Sequence, residues 1–404
     1  MKWIIHHKQA LLDHSFLAIF FVLPFVDLLS PIALGVCLVL GLFFGSKQDV
    51  VLKLKNKPQL LLLILYFLLA IISLSYTIDF DKTTGKIGKH IAFLLIPITF
   101  VLVNPNQLLL KKAKHIFIIS CVIFCGFSLL KLGYNYLVRA HESHWYNFVQ
   151  ESMYHKYMPE DAMYLNTALI FLLFGNFKKY FKLGIAFLFL VVIVLFGVRL
   201  GLFLYFLILA IYVFKNMRLF LNYKTLIVVA IGVVVMGFLI KSSTYVNDKF
   251  FDTLDKIGFN TEKNVSEIGE QYHDISLRTK IWNAAIEVIK EKPLLGYGGG
   301  VEKTILNTVY TREGLSSLLG FHAHNQLLSG TIQYGLLGIG VLFFIYFFSL
   351  KRILKQGHLV HGILVMLMII SMSTESYLEL QQGTFYFCIF ISLMAIEETR
   401  KHAI

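Results

Sequence analysis

Three cationic or titratable side chains stand where an apolar chain has little reason to keep them: Arg199, Arg278 and His324. Arg199 sits in Gly197-Val198-Arg199-Leu200-Gly201, between two apolar runs and with no acidic residue nearby in sequence. Ionisable groups at a membrane edge are expensive and mark function by default, although a charge snorkelling from a helix end is the ordinary alternative. Arg278 opens a stripe with Ile281, Trp282, Ala285 and Ile289 at i+3, i+4, i+7 and i+11, which puts it on the face turned to the bundle, away from Lys280, Glu287 and Lys290. Guanidinium groups stay charged and match phosphate oxygens two at a time, so two of them facing one cavity would clamp an anion.

His324 lies in Phe321-His322-Ala323-His324-Asn325-Gln326, directly before an apolar run. A positive helix dipole there favours neutral imidazole, which can accept a proton and act as a base. The plainer reading is a histidine that is only hydrogen-bonded. His322 and His324 together suggest a metal, but no third ligand follows at a recognisable spacing, so no metal and no cofactor is expected. Gly296-Tyr297-Gly298-Gly299-Gly300 lacks both a preceding strand and a following Gly-Lys-Ser/Thr, and reads as a flexible turn that lets backbone approach a substrate. Glu375 and Glu379, near the start of the last apolar run, are carboxylates of the kind usually solvated or capping a helix.

These residues need elements to hold them. The chain is 57% hydrophobic and 15% charged, which would leave a soluble domain exposing too much apolar surface. Apolar runs of about 16–20 residues recur along it, the length that crosses a bilayer core. Spans are expected at 13–28, 31–45, 58–76, 88–103, 114–133, 161–176, 181–197, 200–215, 223–240, 325–349, 356–373 and 380–396. The fold class is thus an all-α polytopic membrane protein with about twelve transmembrane helices. Residues 1–240 would hold helices 1–9, residues 241–323 a large external helical loop, and residues 324–404 helices 10–12.

The net charge of +13 is not gathered into one arm, so nucleic acid is not an expected partner. Counting alternate loops from the N-terminus instead, one side collects 20 of the 37 basic residues, the other side's short loops 7, and the long loop 10. That bias makes both termini cytoplasmic and the long loop external. The first apolar run lacks a small-residue cleavage pattern and reads as a retained helix. The four cysteines, Cys37, Cys121, Cys125 and Cys388, lie inside apolar runs without polar companions, which argues against a metal site, and the external loop has no disulfide to form. Residues 276–292 predict an amphipathic helix capped by Asp274 or Ser276 and stopped by Pro293. A second external stretch, 134–160, carries Tyr134, His141, His144, Trp145, Tyr154 and His155.

With those residues in view, His324-Asn325, nine residues, then Gly335-Leu336-Leu337-Gly338 resembles the His-Asn…Gly-x-x-Gly signature of the O-antigen ligase superfamily. Arg278…Trp282…Pro293-Leu294-Leu295-Gly296-Tyr297-Gly298 is similar to the segment that precedes it there, and Arg199 to an arginine at an outer helix junction. Glu375-Ser376-Tyr377-Leu378-Glu379-Leu380-Gln381-Gln382-Gly383 resembles the end of the last outer loop. Departures are the Gly-Val-Arg junction, where a serine often precedes the arginine, and Tyr154-His155-Lys156-Tyr157, which matches only loosely.

The resemblance implies a GT-C-like membrane glycosyltransferase in the bacterial inner membrane, with its site facing the periplasm. The donor would be a glycan on undecaprenyl pyrophosphate and the acceptor a sugar hydroxyl on lipid A-core or another glycan. His324, Arg199 and Arg278 would be catalytic; Arg199, Arg278, Asn325, His322 and Glu375 would bind substrate. Transfer would be inverting and metal-independent. A polymerase using a second lipid-linked unit is the nearest alternative, and a protein-glycosylating relative a third. A transporter or flippase would need internal repeats and buried charge pairs within spans, which the sequence does not show. Oligomeric state, glycan and linkage are not legible.

Overall fold

The computed structural model describes residues 2–25, 28–47, 50–138, 149, 158–216 and 273–397. The elements relevant below are α1 (Lys2–Val22), α2 (Leu29–Phe44), α3 (Val50–Lys55), α4 (Pro58–Ile72), α5 (Phe80–His90), α6 (Ala92–Val103), α7 (Gln107–Val138), α8 (Met158–Phe174), α9 (Lys179–Phe196), α10 (Arg199–Lys215), α11 (His273–Glu291), α12 (Glu302–Arg312), α13 (Gln326–Gln356), α14 (Leu359–Thr374) and α15 (Gln381–Ile396). Among the described residues there is no strand. Each expected span overlaps helix except 223–240, which lies outside the described residues, as do His141, His144, Trp145, Tyr154 and His155; the span expected at 13–28 runs past the end of α1, and that at 88–103 straddles the break between α5 and α6.

Among the described residues, five helical segments are long and apolar enough to cross a membrane: Pro58–Ser75, Phe80–Val103, Gln107–Val138, Lys179–Phe196 and Gln326–Gln356. Leu29–Phe44, Leu359–Thr374 and Gln381–Ile396 are shorter apolar helices. Their packing fits that reading. On α4, Leu60, Leu63, Tyr66, Phe67 and Ala70 are buried while Leu61, Leu65, Leu68 and Ile72 are exposed. A helix apolar on both its packed and its outward face is one whose surroundings are themselves apolar.

The chain divides into two units, Met1–Ser120 with Asp274–Ile404, and Cys121–His273. In the first, α4 packs on α13 and α6, α15 packs on α6 and α4, and α1 packs on α2. In the second, α8 packs against α9 and α10. The α8–α10 approach is close because Gly201 has no side chain: a Cβ there would stand 2.8 Å from that of Ala162. Asn166 Nδ2 donates to the Gly201 carbonyl at 3.0 Å.

The amphipathic helix expected at 276–292 is α11, which begins at His273, so Asp274 and Ser276 fall inside it. Its stripe does not turn to the membrane bundle as the sequence suggests. Ile281, Ala284, Ala285 and Val288 instead build a small core with Val301, Leu306, Val309, Tyr310, Leu318, Ala323 and Ile332. These residues belong to α12 and the residue that precedes it, the loop after it and the first turns of α13. α11 and α12 therefore form a cap seated directly on the start of α13.

Candidate functional site

α13 is broken at Gly335, whose φ of 61° and ψ of −156° are non-helical. That conformation is essentially restricted to glycine. The break leaves the carbonyls of Ile332 and Gln333 without their helical partners, and the Gly-rich loop supplies new ones. Tyr297 N–H donates to Ile332 at 2.9 Å, Gly298 N–H to Gln333 at 3.0 Å, and Leu336 N–H to Pro293 at 2.8 Å. Gly299 and Gly300 are fixed from their other side by the Ser73 hydroxyl at 3.1 Å and the Gln333 Oε1 at 2.8 Å. Thr83 Oγ1 donates to the Gly299 carbonyl at 2.7 Å. The loop expected to be a flexible turn is thus a tied joint, and Gly296 to Gly299 are buried in it. Backbone groups that the glycines leave free to approach are used on α13, because a buried carbonyl must find a donor.

The joint places the next segment. Asn325 caps α13 by accepting from Leu327 N–H at 2.9 Å and Leu328 N–H at 3.3 Å. Its Nδ2 donates to the Ser373 carbonyl at 3.0 Å, and its own N–H to Ser376 Oγ at 3.1 Å. Both ends of the Asn325 amide are therefore engaged within the protein, which makes it a clasp between α13 and the end of α14. His324 lies just before this cap with φ 47°, in the left-handed region that a non-glycine residue rarely enters.

His324 Nδ1 stands 3.0 and 3.2 Å from the two oxygens of Glu375. An ionised carboxylate only accepts, so the proton of a neutral His324 ring is on Nδ1 and the lone pair is on Nε2. His322 packs on it with ring centroids 3.9 Å apart. His322 Nδ1 accepts the His324 N–H at 3.1 Å, which leaves Nε2 as the protonated nitrogen of the neutral His322 ring. Burial, and then the neighbouring His324, pull the His322 pKa down to about 4. One ring is thus arranged to take a proton and the other to donate a hydrogen bond.

The third metal donor that spacing did not reveal is Glu375. His322, His324 and Glu375 bring one ligand atom each within 4.8 Å of one another. As hydrogen-bonded, however, His322 Nδ1 is occupied by a backbone N–H and His324 Nδ1 by the carboxylate. Coordination by all three would have to displace at least one of these bonds.

Arg278 is half-buried on α11, one turn before Trp282, and Trp282 Nε1 donates to the Ala323 carbonyl at 3.0 Å. Arg278 therefore occupies the stripe that meets the histidine segment. In the second unit, α9 ends at Gly197 with φ 65°, Val198 is extended, and Arg199 is the first residue of α10, exposed. The turn between the two helices is only Gly197-Val198. Among the described residues no carboxylate forms an ion pair with Arg199 or Arg278.

Beneath the histidines lies a buried polar layer that the sequence did not announce. Lys86 on α5 is 4% exposed and pairs with Glu379 at 2.7 Å. Gln333 Nε2 donates to Glu379 at 2.7 Å and lies 3.5 Å from Glu302. Glu302 accepts from Ala323 N–H at 2.8 Å and Ser329 Oγ at 2.7 Å. Burial, and then the charge of Glu379, raise the Glu302 pKa to about 7. Glu379 is also pushed up by burial, but the Lys86 charge and hydrogen bond outweigh that and hold it low. So Glu379, expected to be solvated or capping, is a structural anion between α5 and α13. The partners in this layer are separated by 21 residues or more, and no local spacing connects them.

No curated protein matches the chain. The family model described as O-Antigen ligase matches residues 184–343. The matched region runs from within α9 to within α13 and includes Arg199, Arg278, Glu302, His322, His324 and the Gly335 break, while Glu375 lies beyond it. Residues 184–343, less than half of the chain, are thus similar to the O-antigen ligase family, in a protein that carries helices apolar enough to cross a membrane.

Proposed function

We propose that the protein transfers a glycan from undecaprenyl pyrophosphate to a sugar hydroxyl of lipid A-core. The observation that carries this reading is the Glu375–His324 pair, which leaves Nε2 of His324 as a free acceptor in the segment beside Arg278. The acceptor hydroxyl gives its proton to His324 Nε2 while its oxygen forms the bond to the anomeric carbon. The anomeric carbon–oxygen bond to pyrophosphate breaks on the opposite face, so configuration inverts and the lipid pyrophosphate leaves as an anion. Glu375 holds the ring and stabilises the imidazolium that forms. Arg278 binds the leaving group as its charge develops. Guanidinium charge does the electrostatic work for which soluble transferases often use a divalent metal, so transfer proceeds without one.

The excess of lysine and arginine in alternate loops supports cytoplasmic termini and a periplasmic site. The test is a deletion strain together with purified protein in lipid nanodiscs, donor and acceptor. Transfer to lipid A-core in vitro, with loss of capped lipopolysaccharide and intact lipid-linked polymer in the strain, is the expected result. Single-repeat chains in the strain would instead identify a polymerase.

A further inference from the structure

Glu302 touches neither His324 nor Glu375, yet its contacts reach the segments that carry both. It is the first residue of α12 and only 2% exposed. Burying a carboxylate is costly unless its oxygens are hydrogen-bonded, and here they are. Oε1 accepts from the Ala323 N–H at 2.8 Å and from Ser329 Oγ at 2.7 Å. Ser329 Oγ in turn lies 2.7 Å from Ser376 Oγ, and Ser376 follows Glu375. The carbonyl of the same Ala323 is held by Trp282 Nε1 at 3.0 Å. The residue directly before His324 is therefore pinned through its N–H and its C=O, and His324 turns into its φ of 47° from that anchor. A residue in this sparsely populated region persists only when its surroundings over-determine it. The N-terminal dipole of α12 and the nearby charge of Lys86 offset the buried negative charge.

We infer that Glu302 is a positioning residue for the His324–Glu375 pair, fixing the Ala323 peptide directly and the Glu375 segment through Ser329 and Ser376. A carboxylate is suited to this because one side chain offers several acceptor sites to donors that arrive from different elements. The inference rests on the reading of His324 as the base, and it assigns Glu302 no contact with substrate.

The experiment compares wild type, Glu302→Ala, Glu302→Gln, Ser329→Ala and His324→Ala, each as the monodisperse full-length protein in nanodiscs, with lipid-linked donor and acceptor varied separately. Glu302→Gln keeps an acceptor oxygen for Ala323 and Ser329, whereas Glu302→Ala removes it. For Glu302→Ala the expected result is a kcat per folded molecule lower by about 10- to 100-fold, the scale of a small misplacement of a catalytic group. Both KM values stay near wild type. Glu302→Gln restores most of the turnover, and Ser329→Ala, which cuts one arm, falls between. Should Glu302→Ala not yield folded protein, the order wild type, Glu302→Gln, Ser329→Ala carries the test. Wild-type kcat in Glu302→Ala, or equal damage in Glu302→Ala and Glu302→Gln, overturns the inference. So does wild-type kcat in Ser329→Ala. If His324→Ala retains full activity, the reading of the site has failed instead; an inactive His324→Ala beside an unaffected Glu302→Ala defeats this inference alone.

Discussion

Replacing Gly335 by alanine strikes the joint on which the histidine segment rests. A Cβ at this position would lie 2.2 Å from the carbonyl carbon and oxygen of Leu294 and 2.5 Å from the Leu295 nitrogen. All three are backbone atoms, so no side chain can swing away to make room. The backbone itself, with φ 61° and ψ −156°, costs a non-glycine residue about 1–3 kcal/mol. Overpacking adds about 1–3 kcal/mol. The total, about 2–6 kcal/mol, is comparable with the whole stability margin of about 5–15 kcal/mol typical of folded domains. Relief requires α13 and the 293–300 loop to separate, which breaks the Leu336–Pro293, Tyr297–Ile332 and Gly298–Gln333 hydrogen bonds. The control is Gly340→Ala on the same helix, where a Cβ meets nothing within 4 Å and alanine improves helix propensity by up to about 1 kcal/mol. Both variants are compared with wild type for apparent Tm in detergent and for transfer activity. Gly335→Ala is expected to lose several degrees or more and most of its activity, and Gly340→Ala to match or exceed wild type in stability. Indistinguishable melting and activity of the two variants would refute the argument that the α13 break is a glycine-only joint.

Three further outcomes follow from the site and from the other end of the first unit. Glu375→Gln keeps the shape but weakens the hydrogen bond to His324 Nδ1; kcat should fall by about 10- to 100-fold, the worth of one bond to a charged group, measured as turnover at saturating donor and acceptor. His322 is held near pKa 4 in the folded protein, against about 6.5 unfolded. The unfolded chain therefore binds more protons between those values, and this residue's contribution to stability is lost as pH falls from about 6.5 to 4. Apparent Tm of His322→Asn should depend less steeply on pH in that window than wild type; equal slopes would contradict the assignment. Glu397 meets Lys114 at 2.6 Å and His361 at 2.9 Å. It is pushed up by burial, but these partners outweigh that and bring it to about 2. Its stabilising effect is complete above its unfolded pKa and fades as pH drops through about 4.5 towards 2. Breaking such a part-buried pair by Glu397→Gln should cost about 1–3 kcal/mol in a denaturation assay. Activity per folded molecule should be unchanged, because α14 separates His361 from Glu375 by about 20 Å of helix.

The sequence made the helical frame legible because a bilayer imposes long apolar runs, and helix overlaps each expected span among the described residues, five segments being long and apolar enough to cross a membrane. His324 stood out as a candidate base from its place directly before an apolar run, beside the plainer reading of a histidine that is only hydrogen-bonded, and Arg199 stood out because its turn needs no charge. Its partner Glu375 stood in the same reading only as a weak substrate contact, since 51 residues separate the pair and no spacing rule spans a folded loop. Asn325, expected to bind substrate, has its amide committed to capping α13 and clasping Ser373. The glycines at 296–300 were misread as slack because their constraint comes from a helix break nearly forty residues later, at Gly335. Lys86, Glu302 and Glu379 were hidden for the same reason: each looks like an ordinary surface charge until packing buries it.

The central claim, a histidine base acting without a metal, is tested most directly by one assay. Purified protein in nanodiscs is given lipid-linked donor and lipid A-core acceptor in excess chelator, with wild type and His324→Ala side by side. Full wild-type transfer in chelator and a fall of about 10²- to 10⁴-fold in His324→Ala, the usual worth of a general base, are expected. Loss of wild-type activity in chelator, restored by a divalent cation, would turn His322, His324 and Glu375 into ligands and contradict the account, as would an undiminished His324→Ala.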